Sequence, residues 1–258
     1  MSGKESIFQS IFYEKQVKSK NSLEEFLKEP DEKQIHHLRT SIRRLEAVYS
    51  VFPNSCKRKK TDCFVLSYKS LFKKNSSIRD SDVIITRLLE NGLAENSDII
   101  KKITKKKKNR LKEAKKDAKA VSGLEFSELK KPDTEKIIQK YNKIVFSLLK
   151  NIEDSIPVVI SDESKVKELH LLRKTAKKLR YILEIEPNDS YRHMIDSMKS
   201  FQTFLGSIHD CDITLDFLKK YSKKYPEVKP IIIHEKEIRN TLYSKLAKSL
   251  STKTEQLG

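Results

Sequence analysis

Apolar residues recur at intervals of three and four along almost the whole chain, and the period-two alternation of a half-buried strand is nearly absent. The two strand-like runs, VVI at 158–160 and III at 231–233, are too short to build a sheet. Only 5 glycines occur in 258 residues, which suits long helices joined by short loops. The sequence therefore predicts an all-α fold.

Helix breakers and caps divide this pattern into about ten helices. The run Asn75-Ser76-Ser77 is expected to end the third helix, and Pro187-Asn188 to end the seventh. A loop at 122–134, which holds Gly123 and Pro132, separates the first five helices from the last five. The predicted ranges are 4–29, 31–53, 57–75, 79–91, 97–121, 134–154, 163–186, 189–205, 209–224 and 228–250.

Two blocks of sequence occur twice, in the same order. IHHLRTSIRRLEAVYSVF, from Ile35, aligns with LHLLRKTAKKLRYILEIE, from Leu169, at an offset of 134 residues. KSLFKKNSSIRDSDV, from Lys69, aligns with KSFQTFLGSIHDCDI, from Lys199, at an offset of 130 residues. We interpret the two blocks as a tandem duplication of a helical bundle. The predicted repeats are 5–122 and 133–250, which together form a single domain over 5–250.

In both copies of the first block, a row of cations runs alongside the apolar face. At roughly 100° per residue, this row borders the buried stripe and does not lie opposite it. The predicted core stripes include Ile35, Leu38, Ile42 and Leu45 in the first copy and Leu169, Leu172, Ala176 and Leu179 in the second. The cationic residues are His36, Arg39, Arg43 and Arg44 in the first copy and His170, Arg173, Lys177 and Arg180 in the second.

Cations at one-turn spacing repel one another, so something anionic should compensate them. Internal carboxylates and a bound polyanion are both compatible with the sequence. The net charge of +18, from 54 Lys and Arg against 36 Asp and Glu, favours attraction of polyanions. A solvated, lysine-rich surface explains many of the lysines, including those of KKKKNR at 105–110, but explains the arginine-histidine clusters less well.

Further residues are expected to take part in the charge balance. Asp80, Asp82, Asp210 and Asp212 are expected just after a loop, where a carboxylate caps a helix, and they could also pair with Arg39 or Arg173. The cations predicted to converge on an anion site are Lys69, Arg79, Arg110, Lys199 and Arg239.

These residues carry a resemblance to a known family. The two histidine-led helices resemble the signature helices of the CHAD family, the conserved-histidine α-helical domain. IRDSDV and LGSIHDCDI resemble the segments that follow those helices in the family, and the resemblance spans roughly residues 5 to 250. It implies two pseudo-symmetric helical bundles around a strongly basic groove or pore that binds inorganic polyphosphate without catalysis. By position, the cationic residues of the two helices would be the signature basic residues.

The sequence departs from the family pattern in three places. Glu46 stands where the first signature helix often has another arginine. The first copy lacks the glycine that Gly206 supplies in the second, and Arg79 stands opposite His209. These departures are expected to narrow the basic surface or weaken one end of it while leaving the fold intact.

Two other functions are weighed against polyphosphate binding. A helical nucleic-acid-binding protein is supported by charge alone, since no helix-turn-helix, zinc finger or aromatic-basic interleave occurs. His209-Asp210, with His170 and Asp216, is superficially similar to the ligand pattern of HD-type metal phosphohydrolases. The aligned Arg79-Asp80 and the surrounding cations, which would compete with a metal, argue against an enzyme. We expect no cofactor and no bound metal.

The remaining expectations concern location and redox state. No stretch approaches the roughly 18 uncharged apolar residues of a membrane span, and the N-terminus lacks a signal-peptide core. A cytoplasmic protein is expected and, if polyphosphate is the ligand, one associated with polyphosphate granules. Cys56, Cys63 and Cys211 are expected to be reduced thiols. The sequence gives no oligomeric state.

Overall fold

A computed structural model describes residues 7–125, 128–130, 133–186 and 191–255, with side chains up to residue 250. The predicted all-α class is confirmed, because this part of the chain contains helices, turns and loops but no strand. VVI and III both lie within helices. The α-helices are α1 (Ile7–Lys28), α2 (Glu32–Ser50), α3 (Lys59–Glu90), α4 (Asp98–Ser122), α5 (Thr134–Ser161), α6 (Val166–Leu183), α7 (Arg192–Tyr221) and α8 (Lys229–Glu255).

The predicted number of helices is wrong, because two expected breaks are helical. Helix α3 runs straight through Asn75-Ser76-Ser77, and α7 runs through Gly206. The hydroxyls of Ser76 and Ser77 donate to the carbonyls of Phe72 and Lys74, each at 3.0 Å, so these serines are satisfied inside the helix. Asn75 is completely buried. The described residues therefore form eight α-helices where about ten were expected; the predicted breakers Pro132, Pro187 and Asn188 lie outside these residues.

The same continuity overturns the capping role predicted for four aspartates. Asp80 and Asp82 lie in the second half of α3, and Asp210 and Asp212 lie in the second half of α7. None of them is at a helix N-terminus, so their carboxylates do not cap a helix. Asp82 and Asp212 are only 5% and 7% exposed.

By its internal contacts, the chain divides into two compact units. Unit 1 consists of the described residues of Met1–Ser81, Thr104–Phe146 and Tyr181–Pro187. Unit 2 consists of the described residues of Asp82–Ile103, Ser147–Arg180 and Asn188–Gly258. The sequence repeats at 5–122 and 133–250 stay a prediction, since the units are defined by contacts and not by the repeated pattern.

In unit 1, the predicted apolar stripe of α2 is buried. Leu38, Ile42 and Leu45 have no exposed area, and burial of such a side chain contributes roughly 1.5–3 kcal/mol. The ring of Phe12, from α1, lies 5.6 Å from the rings of both Tyr49 and Phe52 at the end of α2. This packing holds α2 along α1 and fixes which edge of α2 carries the cationic row.

In unit 2, the predicted stripe of α6 is buried in the same way. Leu172, Ala176 and Leu179 have no exposed area, and Leu169 is 2% exposed. A second apolar cluster joins α3, α4, α7 and α8 through residues such as Leu88, Ile99, Leu218 and Ile231. These contacts fix the faces of α6, α7 and α8 that carry polar groups.

No helix in the described part of the chain is long and apolar enough to cross a membrane.

Candidate anion-binding residues

In unit 1, two arginines of the predicted row share one aromatic ring. The guanidinium carbons of Arg39 and Arg43 lie 4.5 Å and 4.1 Å from the ring centroid of Phe72 on α3. Arg39 also donates through Nη1 to Ser76 Oγ at 2.6 Å. Cation–π contacts of this kind contribute roughly 0.5–2 kcal/mol each. The ring therefore holds two like charges close together on the edge of α2.

Carboxylates accompany several of the predicted cations of unit 1. Glu46 lies 3.8 Å from Arg43 and 3.5 Å from Lys69, and Glu184 lies 3.0 Å from Arg44. Arg79 forms an ion pair with Glu32. All of these cations are at least one-third exposed, so each pair contributes only about 0–1 kcal/mol and is screened by salt. The sequence is compatible with internal carboxylates that compensate the cations, and the structure has such carboxylates beside part of the cationic row of α2.

The other predicted residues of unit 1 lie at its surface. His36 and His37 are exposed, with ring centroids 6.4 Å apart, and line a shallow depression with Glu32 and Lys33. Arg110, on α4, donates to the Ser77 carbonyl at 3.0 Å. It thus binds the backbone of α3.

In unit 2, a hydrogen-bonded chain of side chains connects α6, α7 and α8. His170 Nε2, on α6, lies 3.1 Å from Asp212 Oδ2 on α7. Arg239, on α8, donates through Nε to Asp212 Oδ1 at 2.6 Å and through Nη2 to the Glu163 carbonyl at 2.9 Å. Asp212 and Arg239 are nearly buried, with side chains 7% and 10% exposed. The hydrogen bonds from His170 and Arg239, together with the charge of Arg239, hold the pKa of Asp212 below its ordinary value, although burial acts to raise it.

His209 extends this chain by one residue. Its Nδ1 lies 3.0 Å from His170 Nε2, and the two rings meet edge to face with centroids 4.5 Å apart. Burial lowers the pKa of His209 to about 3, and the positive charges of Arg173 and Lys177, together with the neighbouring ring of His170, act in the same direction. His209 is therefore uncharged at neutral pH, and the cations of α6 converge on it.

The remaining cations of unit 2 differ in their surroundings. Arg173, Lys177 and Arg180 are half-buried along α6, which brings the first two near His209. Lys199, near the start of α7, is exposed and lies 2.8 Å from Asp196, one turn earlier. Of the predicted cations of unit 2, His170, Arg173 and Lys177 therefore lie near His209, and Arg239 is connected to His170 through Asp212. Lys199 instead pairs with a carboxylate on its own helix.

Sequence reasoning missed the side chains that hold these cations in place. The sequence did not indicate a binding role for Phe72 or Ser76, although they lie one turn and two turns after Lys69 on α3. His209 was indicated by the sequence as the counterpart of Arg79 and as part of a disfavoured metal-ligand pattern, but not as a neighbour of His170 in an anion site. Its position three residues before Asp212 on one helix was the available signal, because residues at that spacing are neighbours on a helix surface.

The described side chains also include metal-ligating residue types and thiols. Within the described residues, no group of three or more His, Cys, Asp or Glu side chains is arranged to hold a metal ion. Burial raises the pKa of the Cys211 thiol to about 12, and none of the three cysteines forms a disulfide. Cys211 is therefore a protonated, unreactive thiol at neutral pH.

Comparisons with known proteins agree with the architecture. The crystal structure of the CHAD domain from the plant Ricinus communis aligns with a TM-score of 0.63 at 15% sequence identity, covering 95% of this chain and 86% of that chain. At this identity, the similarity concerns the fold alone. No curated protein matches the chain significantly. The profile of the CHAD domain matches residues 14–219, which is well over half of the chain. The chain belongs to the CHAD family.

Proposed function

We propose that this protein binds inorganic polyphosphate through the cationic edges of α2 and α6, and that it binds without catalysing a reaction. The observation that carries the proposal is the pair Arg39 and Arg43 on the ring of Phe72. Two guanidinium groups are kept side by side in spite of their repulsion, with N–H groups suited to phosphate oxygens. A ligand with many closely spaced phosphates would relieve that repulsion.

The cations of α6 support the same ligand class. The positive charges of Arg173 and Lys177 converge on His209 and help to keep it unprotonated. The same positive potential that opposes protonation of His209 would attract an anion bound beside these residues. Membership of the CHAD family adds the resemblance to polyphosphate-binding domains.

Nucleic acid fits these residues less well than polyphosphate. Single-strand binders stack bases on exposed aromatic faces, whereas the ring of Phe72 is occupied by two arginines. Phe146, which is 71% exposed, lies on α5 outside the cationic rows. A competition titration separates the two ligands: duplex DNA or RNA at equal phosphate concentration and salt should fail to displace long polyphosphate. Displacement would contradict the proposal.

Replacement of Phe72 tests the importance of the two arginine–ring contacts without changing the charge of the protein. In Phe72→Leu, Arg39 and Arg43 lose the ring that positions them, so the affinity for long polyphosphate should fall about fivefold, within the range of a cation–π contact. Phe146→Leu is the matched control, since it removes an exposed ring of the same unit, and it should bind as the wild type does. Titration calorimetry measures both variants, and circular dichroism checks their helix content.

Phosphate release tests the non-catalytic part of the proposal. The purified protein, incubated with polyphosphate and Mg²⁺ or Mn²⁺, should release no orthophosphate above the protein-free rate. Metal-dependent release that disappears in His209→Ala would show that the protein is an enzyme.

A further inference from the structure

The chain of contacts in unit 2 determines where its protons lie. Asp212 accepts from Arg239 Nε at 2.6 Å and has a lowered pKa, so it is an ionised carboxylate at neutral pH. A carboxylate only accepts hydrogen bonds. His170 Nε2, 3.1 Å from Asp212 Oδ2, must therefore carry a proton.

That proton decides the state of the next ring. His209 Nδ1 lies 3.0 Å from the same His170 Nε2. A second proton on His209 Nδ1 would point at the first, so His209 Nδ1 is bare and acts as an acceptor. A neutral imidazole has one N–H, which His209 must then carry on Nε2.

We propose that Asp212 and Arg239 are positioning residues, which fix the proton of His170 on Nε2 and thereby make His209 a neutral hydrogen-bond donor, through Nε2–H, to a phosphate oxygen. This inference rests on the proposed binding of polyphosphate. It gives Arg239 a role other than the predicted one of phosphate ligand, because its Nε and Nη2 already donate to Asp212 and Glu163.

The charges around His209 come from three helices. His170, Arg173 and Lys177 face it from α6, Asp212 lies on its own helix α7, and Arg239 of α8 acts through Asp212. Burial and the charges of Arg173 and Lys177 outweigh the carboxylate, so His209 stays neutral over the physiological range. A donor without charge adds a hydrogen bond to phosphate and does not add to the repulsion among the cations.

A substitution of Asp212 should move the proton of each histidine ring to its other nitrogen. In Asp212→Asn, the amide oxygen keeps the bond from Arg239, so the amide N–H₂ faces His170 Nε2. That nitrogen must then accept, and the His170 proton moves to Nδ1. His209 Nδ1 can now donate to His170 Nε2, which leaves His209 Nε2 bare. A bare nitrogen would repel a phosphate oxygen.

The test is nitrogen-15 NMR of the histidine side chains in the full chain, with and without polyphosphate. Ligand-free wild type should show His209 protonated on Nε2 alone from pH 5 to pH 8. Asp212→Asn should move that proton to Nδ1 and weaken polyphosphate binding about tenfold, while Asp212→Glu should restore both properties. Asp216→Asn, an exposed aspartate four residues further along α7, is the matched control and should change neither property.

Each result decides between the two proposals. Protonation of His209 on Nδ1, or of both its nitrogens, in the wild type would overturn the inference even if polyphosphate binds. The expected proton pattern in a protein that does not bind polyphosphate would overturn the proposed function and leave the pattern standing. If Asp212→Asn does not fold, the wild-type spectrum and the variant Arg239→Lys still test the inference. A single ammonium group cannot reproduce the two hydrogen bonds of the Arg239 guanidinium, so Arg239→Lys should disturb the His170 signals.

Discussion

The two histidine-led helices start from similar sequences but hold their cations by different means. On α2, Arg39 and Arg43 lie over the ring of Phe72, and neighbouring exposed cations have half-buried carboxylate partners. On α6, His170 belongs to a nearly buried chain that ends in Asp212 and Arg239. His36, which aligns with His170, is exposed.

The aligned residues Arg79 and His209 show two ways in which positive charge is reduced at equivalent positions. Arg79 is a permanent cation, but Glu32 pairs with it. His209 contacts the ring of His170 and is kept neutral by burial and by neighbouring cations, which outweigh Asp212. Both positions thus carry little net positive charge, through an exposed ion pair in one case and a suppressed protonation in the other. Salt should screen the first arrangement and leave the second almost unchanged.

The largest expected effect is on stability. Arg239→Ala leaves the nearly buried Asp212 without its ion-pair partner, which should cost about 3–5 kcal/mol of unfolding free energy. Arg79→Ala breaks an exposed pair and should cost less than about 1 kcal/mol. Urea denaturation of both variants measures the difference. Equal losses would mean that the two ion pairs do not differ in the way their burial implies.

The next effect is on ligand affinity. Arg39→Glu combined with Arg173→Glu reverses one cation in each row and should weaken polyphosphate binding about 100-fold, equivalent to about 2.7 kcal/mol. Lys105→Glu combined with Lys108→Glu makes the same change of net charge at exposed lysines of α4. This control should lose less than about threefold. Unchanged affinity in a folded Arg39/Arg173 variant would refute the assignment of the site.

The pH dependence of stability should come partly from His209. Its folded pKa of about 3 lies below the ordinary value of 6.5, so between these values the unfolded chain binds a proton that the folded chain does not. Stability therefore falls as the pH is lowered from about 6.5, by up to about 1.4 kcal/mol per pH unit from this group. His209→Gln should flatten the profile between pH 6 and 4, measured by urea denaturation. An unchanged slope would show that another group is responsible.

The smallest expected effect is a gain of affinity. Glu46→Gln removes the carboxylate that lies near both Arg43 and Lys69 and leaves a side chain of the same shape. Polyphosphate should bind two- to threefold more tightly, in line with the small energy of exposed ion pairs. Glu14→Gln, which removes the partner of Lys15 and Lys18 on α1, is a suitable control and should not change the affinity. A loss of affinity in Glu46→Gln would assign Glu46 a supporting role.

The sequence predicted the helical class and the buried stripes because apolar spacing reports directly on which face of a helix is covered. Leu38, Ile42, Leu172 and Leu179 are all fully buried, as expected. The sequence pattern was misleading at local polar residues that usually indicate a helix break. Ser76 and Ser77 fit into α3 because their hydroxyls donate to carbonyls of the preceding turn. Asn75 is buried in the same helix with no hydrogen-bond partner among the described residues for its side-chain amide, so tertiary packing and not local hydrogen bonding keeps the helix continuous there.

The cationic rows were also visible in the sequence, whereas the groups that position them were not. The contact of Arg39 with Phe72 joins residues 33 positions apart, and that of His170 with Asp212 joins residues 42 apart. Helical periodicity carries no information over such distances. It places a side chain on a face, and only the packed helices determine which carboxylate or ring it meets.

The most direct test of polyphosphate binding is the affinity of the wild-type protein for long polyphosphate over a series of salt concentrations. If the rows of α2 and α6 each contact several phosphates, the logarithm of the association constant should fall linearly with the logarithm of salt concentration, with a slope of magnitude about 4 or more. The slope should become smaller in Arg39→Gln combined with Arg173→Gln. Binding that is absent, or that is insensitive to salt, would contradict polyphosphate binding by these cations.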